Sequence, residues 1–84
     1  MTGTELRANL RAILEAEERP EVDWKAIDNL CHQTLERLNS DEPIPVYDHD
    51  TVYHFLDDPD VRQKDEGYAR VQRKRLRAWL ESAV

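Results

Sequence analysis

The densest set of chemistry-bearing side chains in this sequence is Asp48-His49-Asp50, followed by His54, Asp57, Asp58 and Asp60. Imidazole and carboxylate are the ligand types of zinc, iron and manganese, and residues four apart on a helix, as His54 and Asp58 are, lie side by side. A simpler use competes with a metal. Asp50 and Asp58 stand where helix N-caps are needed, and acids in a first helical turn are favoured by the helix dipole. A second row, Asp28, His32 and Glu36, has i, i+4, i+8 spacing on the polar side of a helix, whereas metal bundles need facing ligands across a core. Both sets therefore read as capping and solvated charge. Metal binding by the Asp48 to Asp58 region is a subordinate alternative, and no cofactor is expected.

Nucleophilic chemistry finds little support. Cys31 is the single cysteine, so it forms no internal disulfide. It falls on an apolar stripe with no basic sequence neighbour to lower its pKa, the pattern of a small core residue. With two glycines in the chain, there is no Gly-rich phosphate loop, and no Ser-His-Asp arrangement has a recognisable spacing. The chain reads as non-enzymatic.

The C-terminal segment carries the other candidate. Arg70, Arg73, Lys74 and Arg77 occupy the side of a helix opposite Leu76, Trp79 and Ala83. Such a helix can bury its apolar side while offering cations to phosphates or to an acidic partner. These four are the candidate partner-binding residues, weighed against a solvated face that only balances the helix dipole. Arg75 sits nearer the apolar stripe, where its stem can pack and its charge can pair with an acid of the first 60 residues. Tyr47, Tyr53 and Tyr68 read as residues closing the rim of a small core.

Charge is unevenly shared. Residues 1–60 hold five Lys or Arg against fifteen Asp or Glu, a net of −10; residues 61–84 hold seven against three, a net of +4; together they give the −6 of the whole chain. A dipolar surface suits electrostatic docking. No apolar run approaches the roughly 18 residues of a membrane helix and no signal-peptide pattern is seen, so a cytoplasmic location is expected.

The elements that position these residues are all helical. Thr2 and Glu5 form a capping box ahead of Leu6, Leu10, Ile13 and Leu14, and Pro20 ends that helix at Arg19. Asp23 caps a second helix with a stripe of Ile27, Leu30, Cys31, Thr34, Leu35 and Leu38, and the short link predicts an antiparallel hairpin. Pro43-Ile44-Pro45 fixes an extended connector. Asp50 caps a short third helix with Val52, Phe55 and Leu56, and Asp58-Pro59 opens a further turn. From Val61 the stripe runs through Tyr68, Gln72, Leu76, Trp79, Leu80 and Ala83, with a break at Asp65-Glu66-Gly67, where Asp65 caps the long last helix.

The expectation is one domain over residues 1–84. Its fold class is all-α, a compact bundle of three to four helices with an N-terminal antiparallel hairpin, a short third helix and a long C-terminal helix. At this size only roughly 60–65% of the unfolded chain's surface is buried, so a partner that stabilises the fold fits well. The expected function is protein–protein interaction or regulation, self-association included. Nucleic-acid binding through the basic last helix is the alternative, and no membrane partner is expected.

Overall fold

The computed structural model describes residues 1–41, 43–44 and 47–82. It contains five helices, α1 (Gly3–Glu17), α2 (Trp24–Ser40), α3 (His49–Asp57), α4 (Pro59–Lys64) and α5 (Glu66–Ser82), and no strand among the described residues. None of these helices is long and apolar enough to cross a membrane.

Local chemistry sets most of the boundaries. The capping box of α1 is complete: Thr2 Oγ1 accepts the Glu5 N–H at 3.1 Å, and Glu5 Oε1 accepts the Thr2 N–H at 3.3 Å. The helix ends at Glu17, with Glu18 as its C-cap, two residues before the Arg19 boundary expected from Pro20 alone. Asp23 caps α2 by accepting the Ala26 N–H at 3.1 Å. Asp23→Ala is therefore expected to lower stability by about 1 kcal/mol, read as a fall in melting temperature, and an unchanged Tm would contradict the cap's role.

The cap of α3 is Asp48 rather than Asp50. Asp48 accepts both the N–H and the hydroxyl of Thr51, at 3.2 and 2.8 Å, while Asp50 sits inside the first turn. Asp58 precedes α4 but makes no side-chain cap bond. Asp65, by contrast, caps α5 as expected, accepting the Tyr68 N–H at 3.0 Å.

α1 and α2 form the antiparallel hairpin. Arg37 near the end of α2 reaches Glu5 near the start of α1, 2.9 Å apart, while Leu30 lies across from Ala12 and Ile13. The α2 helix also packs on α3 and α4, and α5 closes the bundle against α3 and α4. The core joins Leu6, Leu10, Ile13 and Leu14 to Ile27, Cys31, Val52, Phe55, Leu56, Leu76 and Leu80. Ile44 of the connector packs on this core; Pro45, like Ala83 of the last stripe, lies outside the described residues.

Three members of the expected apolar stripes face outward: Leu30 is 42% exposed, and Val61 and Tyr68 are also exposed. For Val61 the reason is the phase of α4. Pro59 is buried at its first turn, and the residue three further on, Arg62, shares its side. A charged residue thus takes the inward place expected for Val61.

Candidate functional site

Arg62 is 1% exposed and forms the centre of a polar network inside the bundle. Its Nε donates to both carboxylate oxygens of Glu17, at 3.0 and 3.1 Å. Its Nη1 donates to the Phe55 carbonyl and to Gln72 Oε1 at 2.8 Å, and its Nη2 lies 3.7 Å from Cys31 Sγ. The guanidinium also stacks over the Phe55 ring, 3.7 Å from its centroid. One side chain on a six-residue helix therefore ties α4 to α1, α2, α3 and α5. Burying a charge this deeply is tolerable because nearly every donor has an acceptor.

Glu17 is the anion of this network and takes a second cation, Arg73 Nη1, at 3.0 Å. Arg73 also donates to Glu66 at 2.8 Å, and Arg77 pairs with Glu18. The last turn of α1 carries acids and no base, the wrong sign for a helix C-terminus. Guanidinium groups from α4 and α5 offset that locally unfavourable charge.

The basic helix face is consequently divided. Of the four residues singled out by the sequence, Arg73 and Arg77 are turned to acids of α1, whereas Arg70 and Lys74 are exposed with no carboxylate within 4.0 Å among the described residues. All four still line one shallow groove of about 480 Å³, together with Glu18, Ala78 and Glu81. Arg75 departs from its expected pairing: it is exposed and makes no ion pair among the described residues. Within α5 the cation that packs inward against acid is Arg73.

Arg75 borders a second groove, of about 240 Å³, between α3 and α5, which is lined also by Asp50, Thr51, His54, Tyr68, Val71 and Gln72. Val71, at 49%, is the most exposed large apolar residue among those described, and Tyr68, at 37%, is exposed beside it. The Tyr68 hydroxyl donates to Asp58 at 2.7 Å and accepts from Gln72 Nε2 at 3.0 Å. The hydrogen bond to the Asp58 carboxylate raises the phenol's pKa. Gln72 in turn bonds the His54 carbonyl, Asp58 and Arg62. The exposed tyrosine is thus linked through Gln72 to the buried network.

The candidate metal ligands are scattered. Asp58 accepts from Tyr68 and Gln72, and His54 borders the α3–α5 groove. His49 stacks on Tyr53 at 4.0 Å and 14°, and Tyr53 donates to Asn39 at 2.6 Å. Among the described residues Asp28 and His32 join no set of three possible ligands, and His32 meets Glu36 at 3.6 Å on an open surface. Among the described residues no three His, Cys, Asp or Glu side chains converge on one point.

Cys31 is buried as expected, but it does have a basic neighbour, Arg62. Burial dominates, pushing the thiol up to about 11, while the guanidinium works in the opposite direction. No family model, curated protein or solved structure matches this chain.

Proposed function

We propose that this chain is a non-enzymatic protein-interaction module whose contact surface is the outer face of α5. The observation that supports this reading is the company kept by Val71 and Tyr68. These exposed apolar side chains sit beside Arg70, Lys74 and Arg75, three cations without an acid partner among the described residues. Residues 1–60 carry a net charge of −10, so carboxylates are not scarce; Arg73 and Arg77 have found theirs. An apolar centre with a charged rim is the usual anatomy of a protein-binding patch, and Tyr and Arg are, with Trp, the residues enriched at its energetic centre. The cytoplasm is the proposed location: with a thiol in the core and no disulfide, the fold does not depend on an oxidising compartment.

The test compares affinity capture from lysate, with and without nuclease treatment, by the wild-type protein and by Val71→Asp/Arg75→Glu. Both positions are exposed, so the variant should fold normally. A protein retained by the wild type and lost by the variant is the expected result. An identical set of captured proteins would contradict the assignment, and capture abolished by nuclease would move it to nucleic acid.

A further inference from the structure

We infer that the partner of this face is an acidic amphipathic helix, seated along α5 with one apolar side chain in the α3–α5 groove. The inference rests on the protein-interaction reading above and adds the chemistry of the partner. Two rows run along the exposed side of α5. Tyr68 and Val71, three residues apart, form an apolar row that continues into Arg75, four further on. Arg70 and Lys74, four apart, form a cationic row one position to the side. An opposing helix with an apolar stripe and a flanking row of carboxylates matches both.

Size and rigidity favour the same occupant. At about 240 Å³ the groove falls below the roughly 300 Å³ at which small-molecule sites begin, which suits the insertion of a side chain. Tyr68 is already held by Asp58 and Gln72, and Gln72 by Arg62, so the tyrosine at least needs little ordering when a partner docks. Asp50 on the groove's edge, with Glu66 and Glu81 towards the ends of α5, brackets the cations. A nucleic-acid backbone carries a charge at every phosphate and would set some of them beside those acids, whereas a helix can place its carboxylates only where the cations are.

The experiment titrates the isotope-labelled full chain with a synthetic amphipathic peptide, leucines every three or four residues and glutamates between, followed by amide NMR. Shifts should concentrate in residues 67–75 and 50–54 and weaken as salt is raised. Val71→Asp should reduce the affinity at least about tenfold, with melting temperature unchanged as the control for folding. Absence of shifts at about 1 mM peptide, or shifts centred on the α1–α2 groove at Leu30, would overturn the inference. Shifts that match those caused by raising the protein's own concentration would also overturn it, in favour of a second copy. If the peptide fails while capture still depends on Val71 and Arg75, the protein-interaction reading stands and only the acidic helix falls.

Discussion

Arg62→Met is expected to lower the unfolding free energy by about 3–5 kcal/mol, measured by urea denaturation, because it leaves Glu17 buried with less compensation. A domain of 84 residues typically has about 4–13 kcal/mol in total, at ~0.05–0.15 kcal/mol per residue. The single change therefore brings the protein near the edge of folding. Several losses combine: the hydrogen bonds to Glu17, the Phe55 carbonyl and Gln72 disappear together, and each acceptor stays inside. Replacing both partners, Arg62→Met with Glu17→Leu, should recover much of the loss, since no buried charge is then stranded and Arg73 keeps Glu66. A single variant within about 1 kcal/mol of wild type would show that Arg62 does not hold the bundle together.

The second large effect concerns Cys31. Its pKa is raised from 9.0 to about 11, so near pH 8 its thiolate fraction is about 100-fold lower than in the unfolded chain, on ionisation alone. Complete burial adds a steric barrier. Alkylation of the native protein is therefore expected to be at least about 100-fold slower than in urea, and to follow the opening of the bundle. The pH dependence has a definite sign. Because the folded-state pKa is the higher one, the neutral thiol's contribution to stability is complete below pH 9 and is lost as pH rises towards 11. Equal labelling rates with and without denaturant would place Cys31 outside the core.

The sequence carries the local signals of this fold but not its central pairing. Thr2 with Glu5, Asp23 and Asp65 are caps with recognisable neighbours, and all three work as the pattern requires. Asp50 has the residue type of a cap, but Asp48, two positions earlier, caps the helix, and boundaries of this kind depend on local backbone geometry. Arg62 was not legible as a buried residue, since charged side chains are seldom buried unless paired and its partner Glu17 lies 45 positions away. One sign was present. With α1 ending at Glu17 rather than Arg19, its last turn carries acid and no base, the wrong charge for the helix dipole, and such a local violation asks for a cation from elsewhere in the fold.

The same pairing explains why the candidate site was only partly readable. Periodicity places Arg70, Arg73, Lys74 and Arg77 on one side of α5, but cannot say that α1 ends beneath two of them. Nor can it reveal that Tyr68 and Val71 remain exposed, because the groove beside them depends on where α3 packs.

Lysine footprinting of the captured complex is the most direct measurement of whether α5 is the contact surface. The chain has three lysines, Lys25 in α2, Lys64 at the end of α4 and Lys74 on the outer face of α5, all exposed. Acetylation of Lys74 should be strongly suppressed in the complex, with Lys25 labelled as in the free protein. Protection of Lys25 with Lys74 unchanged would place the partner on another side of the bundle and contradict the assignment.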